Sequence, residues 1–310
     1  MALAGLLLLP GAAELARAES ALIPLEVEAT PNDTSGTAYY AADMGFYEKA
    51  GLSVKITTLN NPGAAAAAIA SGAVPIGGLS LSVAAIAREK GVPIVMIAPA
   101  GLYLSTTPTS GIIVLKDSTL RKAADLNGKT LATRDLSNMS YLAANLWIDK
   151  NGGDSKSVRW VEINDPLDVA AMQQGRIDAA SVSEPALDTA LHGGVARSIA
   201  PVFDSIGKRF LIGAYFTSED YAKMHPDVVR KFAGAIAAAS DWGNKNRERS
   251  AQILEKYAQA PVAPGSTRVT YADALRASDV QPVLDVLLSF GILKTPMRAK
   301  DLFSSLVPSQ

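Results

Sequence analysis

Cysteine is absent from this chain, and that gap removes disulfides, thiolate metal sites and cysteine nucleophiles together. Histidine is almost absent: only His192 and His225 are available for metal or acid–base work, and they stand far apart. Each lies beside an expected helix end, in Leu191-His-Gly-Gly194 and in His225-Pro226, where a cation or a turn residue needs no further purpose. A surplus of either charge is lacking as well. With 29 Lys+Arg against 30 Asp+Glu the net charge is −1, which offers no basic field for nucleic acid. Neither a Walker-type run nor a dinucleotide fingerprint occurs, since Gly72, Gly77 and Gly78 lack the spacing and charged partners of a phosphate cradle. No Gly-x-Ser-x-Gly elbow is present. No apolar run reaches the ~20 residues that would span a membrane. This inventory calls for no metal and no cofactor.

What is present suits a sizeable core. At 310 residues, 48% hydrophobic and 19% charged, the chain is about twice a typical domain, so two lobes are the natural expectation. At the N-terminus Leu3, Leu6, Leu7, Leu8 and Leu9 form an apolar run, and Ala16-Arg-Ala18 fits a small-x-small cleavage site before Glu19. Residues 1–18 therefore read as an export signal peptide. The missing basic n-region points to a start codon placed too far downstream.

Periodicity supplies the elements. Leu25-Glu-Val-Glu-Ala29 alternates as a first strand. Ala38, Ala41, Ala42, Gly45 and Phe46 share one face of a helix that Gly51 stops, and Leu52, Val54 and Ile56 alternate after it. Asn61-Pro-Gly leads an Ala-rich helix closed by Gly72, Val74–Leu79 is a thin strand, Ser80 caps another helix, and Val92–Ala98 is a buried strand. Sliding the chain against itself by 103 positions sets Asn61 on Asn164, Gly72 on Gly175, Val74 on Ile177 and Ser80 on Ser183. The same shift sets Thr30 on Thr133 and Thr37 on Ser140, as two related α/β lobes would. The turn-rich stretch 99–110 is expected to cross between lobes, and Ser205–Tyr215, with Gly207 and Gly213 as hinge, to return. That gives lobe 1 as 25–109 plus 208–310 and lobe 2 as 110–207. Helices are expected over Pro226–Asn246, Arg249–Ala258 and Pro282–Phe290.

Three phrases resemble the periplasmic substrate-binding proteins of the nitrate/sulfonate/taurine class of ABC transporters, a group that extends to thiamine-precursor binders. They are Thr37–Ile56, the Ala124-Asp-Leu-Asn-Gly-Lys-Thr-Leu-Ala132 segment, and Tyr215–Phe232. The resemblance covers nearly all of residues 25–306. It implies an α/β chain of the two-lobed periplasmic binding protein type II fold, each lobe a mostly parallel sheet flanked by helices, with a ligand cleft between lobes. It further implies a monomeric periplasmic receptor that hands a small organic solute to an ABC permease in the inner membrane, with no enzyme activity. Enzymes that share this architecture, the porphobilinogen deaminases and the thiamine-pyrimidine synthases, depend on cysteine or on cysteine with histidine.

The candidate site residues follow from placement. Thr34, Ser35, Asn61, Ser80, Ser137, Asn138, Ser140 and Ser183 stand where strands hand over to helices, the ligand position in open α/β sheets. Each of them also fits an ordinary helix cap. Pro31–Gly36 leads into a helix N-terminus whose backbone N–H groups could hold a ligand. Tyr39 and Tyr40 could wall an organic solute or belong to the core. Asp165 and Glu184 sit in expected cleft loops, where Glu184 accepts from a ligand or caps the next helix. Arg134 is the only guanidinium there, beside acidic Asp33 and Asp135. That mixture disfavours bare nitrate and favours an organic solute with one anionic end, sulfonate- or taurine-like. A neutral heteroaromatic such as a thiamine-precursor pyrimidine is the alternative.

Overall fold

The computed structural model describes residues 21–59, 61–136, 138–164, 167–259, 262 and 265–310. The expected signal peptide, Ser137 and Asp165 lie outside them.

Leu25 and Val27 point inward along β1 (Ile23–Glu28). Helix α1 (Gly36–Asp43) buries Ala38, Tyr39, Tyr40 and Ala41. The helical pattern does not run unbroken through Phe46, because Gly45 adopts a φ of +70° and starts the short α2 (Phe46–Lys49) afresh. Only glycine takes that left-handed backbone at little cost. β2 (Leu52–Thr57), α3 (Pro62–Ser71), β3 (Ile76–Ser80), α4 (Leu81–Glu89) and β4 (Ile94–Pro99) follow. Asn61 and Ser80 cap α3 and α4, accepting from Ala64 N at 2.9 Å and Val83 N at 3.3 Å.

The stretch 99–110 is less irregular than its turn residues suggest. It holds β5 (Gly101–Leu104), paired with strands from far along the chain, before β6 (Ser110–Leu115) begins. Then come β7 (Thr130–Thr133), α5 (Met139–Lys150), β8 (Arg159–Glu162), α6 (Asp168–Gln173), β9 (Ala179–Ser183), α7 (Ala186–His192) and β10 (Ala196–Ala200). The chain returns through β11 (Arg209–Leu211) and β12 (Gly213–Ser218). Gly213 serves close packing: a Cβ there would lie 3.0 Å from both the Leu79 carbonyl oxygen and Thr34 Cγ2. The tail is α8 (Glu219–Met224), α9 (Pro226–Lys245), α10 (Arg247–Ala258), β13 (Thr270–Tyr271) and α11 (Ala277–Ser289). Pro282 lies inside α11, which begins earlier than a start at that proline would have it.

Two five-stranded sheets carry the fold. One has the order β2-β1-β3-β12-β4 and the other β8-β7-β9-β6-β10, while β11-β5-β13 forms a small third sheet. In each large sheet four strands run the same way and one opposes them: β12 between β3 and β4, and β6 between β9 and β10. The 103-residue shift holds in three dimensions. β3 at 76–80 maps onto β9 at 179–183, and α1, opening at Gly36, maps onto α5, opening at Met139. Gly72 and Gly175, also one shift apart, both take positive φ behind the helices they end. The chain is therefore an α/β fold of two lobes, in which corresponding strand ends meet corresponding helix starts.

Candidate functional site

Those corresponding ends converge on one cavity of about 650 Å³. On the first sheet's side, Glu28 closes β1, Thr34 and Ser35 lead into α1, and Ser80 closes β3. On the second sheet's side, Arg134, Asn138 and Ser140 follow β7, Asn164 follows β8, Ser183 closes β9 and Glu184 comes directly after it. Both sets stand at the carboxyl ends of parallel strands, where the backbone turns and side chains are free to face inward. Ser80 and Ser183, equivalent by the internal shift, thus line one space.

Three sequence candidates are elsewhere. Tyr39 is 3% exposed, its ring 4.7 Å from that of Tyr257 and its hydroxyl donating to the Ala29 carbonyl at 2.6 Å, so it belongs to the core. Tyr40 is also buried, between Tyr271 and Trp242. Their place in the first turns of an Ala-rich helix hid which way that helix faces. Asn61 is an exposed cap outside the cavity wall. The start of α1 is also less open than its loop sequence implies. Ser35 N donates to Asn32 Oδ1 at 3.0 Å, Gly36 N to the Asp33 carbonyl at 3.3 Å, and Ala38 N to the Tyr215 hydroxyl at 3.0 Å.

The hydroxyls form local networks. Ser140 Oγ lies 2.6 Å from Ser183 Oγ, and Ser110 Oγ donates to Ser140 Oγ at 3.3 Å and to the Val182 carbonyl at 2.9 Å. Ser80 Oγ lies 3.1 Å from Ser82 Oγ. Asn138 caps α5, accepting from Tyr141 N at 2.7 Å, and its Nδ2 donates to Thr133 Oγ1 at 3.2 Å.

The electrostatics are acidic. Among the described lining residues Arg134 is the one cation, against Glu28, Asp33, Asp135 and Glu184. Asp33 has its own counter-ion. Arg268 Nε donates to its Oδ1 at 2.7 Å and Val269 N to its Oδ2 at 2.8 Å, with both side chains less than a tenth exposed. Burial pushes the Glu28 carboxyl up to about 7, although backbone N–H groups of Leu59 and Gly78 oppose the shift. Glu184 rises to about 8, first through burial and then through the nearby Asp188 and Asp33 charges, while the Asp188 N–H bond works against them. No group of three or more His, Asp or Glu among the described residues could hold a metal ion.

Glu28, Thr109 and Arg268 were not legible as site or site-supporting residues. β1 carries Glu26 as well as Glu28, and no local signal separates the buried carboxyl from the half-buried one. Arg268 is 235 positions from its partner, and nothing local marks it.

With this geometry in hand, the chain belongs to the NMT1/THI5-like family, whose profile matches residues 32–249. It is 31% identical over 195 residues to the taurine-binding periplasmic protein of Escherichia coli (strain K12); the match takes in 62% of this chain and 58% of that protein. Among solved structures, it resembles the periplasmic aliphatic sulphonate-binding protein SsuA of Escherichia coli, with a TM-score of 0.75 at 16% identity, covering 91% of this chain and 97% of that one. It also resembles the periplasmic nitrate-binding protein NrtA of Synechocystis, with a TM-score of 0.74 at 15% identity, covering 90% and 84%. At such identities these two likenesses speak for the shared fold.

Proposed function

We propose that this protein is the substrate-binding component of an ABC importer, exported to the periplasm, where it captures a small organic solute and presents it to an inner-membrane permease. The observation that carries this reading is a cavity built from equivalent strand ends of two sheets. A solute bridging both walls gains contacts only when they approach, so binding favours a closed conformer. We assign the lobes as 25–109 plus 208–310 and 110–207, and the protein as a monomer without enzymatic activity. A volume of about 650 Å³ is in the ordinary range for an organic ligand and generous for a bare inorganic anion.

The relatives' ligands favour a sulfonate- or taurine-like solute. Arg134 and the Ser140–Ser183 hydroxyl pair suit an oxyanion, which accepts charge-assisted hydrogen bonds from such donors. A second reading, a neutral heteroaromatic, is favoured by the carboxyls of Glu28 and Glu184 as acceptors. It no longer has Tyr39 or Tyr40 to stack on, and among the described residues Phe203 is the ring that lines the cavity. A thermal-shift screen of the purified protein against taurine, alkanesulfonates, nitrate, carboxylates and thiamine-related pyrimidines tests the proposal, followed by calorimetry on the best ligand. An oxyanion ligand should bind more weakly to Arg134→Ala. Tight binding of nitrate with no organic competitor refutes the organic-solute reading.

A further inference from the structure

The Ser80, Ser140 and Ser183 hydroxyls already have partners, but two other residues of the cavity lining each bury a side-chain oxygen that has none among the described residues. Glu28 is 1% exposed, and its Oε2 finds no hydrogen-bond partner among the described residues. Thr109, 3% exposed just ahead of β6, leaves its Oγ1 equally unpartnered. One comes from the first sheet's side and one from the second's. The protein satisfies Glu28 only in part, through backbone N–H groups of Leu59 and Gly78, and among the described residues no cationic side chain pairs with it as Arg268 pairs with Asp33. Burial accordingly pushes this carboxyl up to about 7. The fold keeps room for it. Gly77 is the register partner of Glu28, and a Cβ there would lie 3.2 Å from Glu28 Cβ and 2.6 Å from Ile69 Cδ1. A buried acceptor left without a donor is costly, so its persistence at a cavity wall points to a donor that arrives with the ligand.

We propose that Glu28 is the specificity-determining residue of the cavity: its free oxygen accepts a hydrogen bond from an N–H of the solute, so the ligand is an organic molecule carrying a nitrogen donor. This rests on the solute-receptor reading and narrows it. An oxyanion at this wall would meet two buried carboxyls, Glu28 and Glu184, with Arg134 as the sole lining cation among the described residues. A nitrogen donor meets both carboxyls favourably, and the Thr109 hydroxyl is placed to fix its orientation from the second sheet's side. The shared chemistry is the N–H, which an ammonium or a ring amine can supply.

Matched probes separate the outcomes in a thermal-shift screen of the purified protein. Taurine is compared with isethionate, ethanolamine with ethylene glycol, and 4-amino-2-methylpyrimidine with 2-methylpyrimidine, beside alkanesulfonates and nitrate. Ligands should be confined to the nitrogen-bearing members, the first two pairs testing an ammonium and the third a ring amine. Affinity for the best of them, measured by calorimetry, should fall on the order of 10- to 100-fold in Glu28→Gln. That variant must turn its carbonyl toward the Leu59 and Gly78 N–H groups, which leaves an NH₂ facing the solute. Glu28→Asp, which withdraws the carboxylate by one methylene, should weaken binding in the same direction and serves if the first variant does not fold. Nitrogen-free ligands binding as well as their counterparts would overturn the proposal and leave the receptor reading standing. So would a nitrogen-bearing ligand whose affinity changes less than about threefold in folded variants. If no probe raises the melting temperature, the solute-receptor reading fails and this proposal falls with it.

Discussion

The Asp33–Arg268 pair ties the loop before α1 to the segment before β13, and its removal should be among the most damaging single changes in the first lobe. Arg268 donates through Nε to Asp33 Oδ1 at 2.7 Å and through its second terminal nitrogen to the Tyr40 hydroxyl at 2.7 Å. Asp33 also takes Val269 N at 2.8 Å, and its carbonyl accepts from the Tyr271 hydroxyl at 2.9 Å. With side chains 7% and 6% exposed, neither charge can fall back on water. In Arg268→Met the carboxylate keeps the Val269 donor but loses its counter-ion, which should cost about 3–5 kcal/mol. Asp33→Asn should cost a comparable amount by stranding the guanidinium. The double variant removes both buried charges and should cost well below the sum of the singles, with a coupling of about 2–3 kcal/mol. Urea unfolding read at Trp242, whose ring lies 5.8 Å from Tyr40, gives the cycle if Trp147 and Trp160 are first changed to Phe. Raising salt to about 1 M, where screening acts over about 3 Å, should change the coupling little. A cost below about 1 kcal/mol for Arg268→Met, the behaviour of an exposed pair, would refute the reasoning.

Other consequences are equally direct. Because folding raises the Glu28 carboxyl from an ordinary 4.5 to about 7, the folded state binds the proton more tightly than the unfolded chain. Its contribution to stability is present below about pH 4.5 and lost as pH rises through about 7, by up to about 3 kcal/mol. Unfolding of wild type and Glu28→Gln compared at pH 5 and pH 8 should show the variant with the flatter profile, and parallel profiles would contradict it. Ser183→Ala leaves Ser140 without its 2.6 Å partner and should weaken solute binding by roughly 1–2 kcal/mol with a smaller change in folding stability; unchanged affinity by calorimetry would return the pair to a purely structural role. Tyr39→Phe deletes the 2.6 Å bond to the Ala29 carbonyl and should cost about 1 kcal/mol of stability. Solute affinity should be unchanged there, and a loss of affinity larger than the loss of stability would put Tyr39 back in the site.

How far the sequence reveals this molecule depends on the range of the interaction concerned. Strand and helix positions come from local pattern and caps, so Asn61, Ser80 and Asn138 at helix starts and Gly72 and Gly175 at helix ends could be read directly. The 103-residue shift added a long-range element, since two copies of one unit must put equivalent strand ends in equivalent places; that is why Ser80 and Ser183 share a cavity. Pattern fails where tertiary partners decide. Turn residues around Gly101 still form β5 because β11 and β13 lie alongside, and Tyr39 turns away because Tyr257 and the Ala29 carbonyl receive it. The acidic members of the site show the limit most clearly. Asp33 and Glu28 are both carboxylates in the first forty residues, and nothing near either one says which will be matched by a guanidinium. Only the packing of residues 268–271 against α1 settles it: Asp33 is neutralised and structural, while Glu28 keeps a buried oxygen without a partner among the described residues. A buried acidic residue gains functional meaning from the absence of a counter-ion, and that absence becomes visible only once the chain has folded.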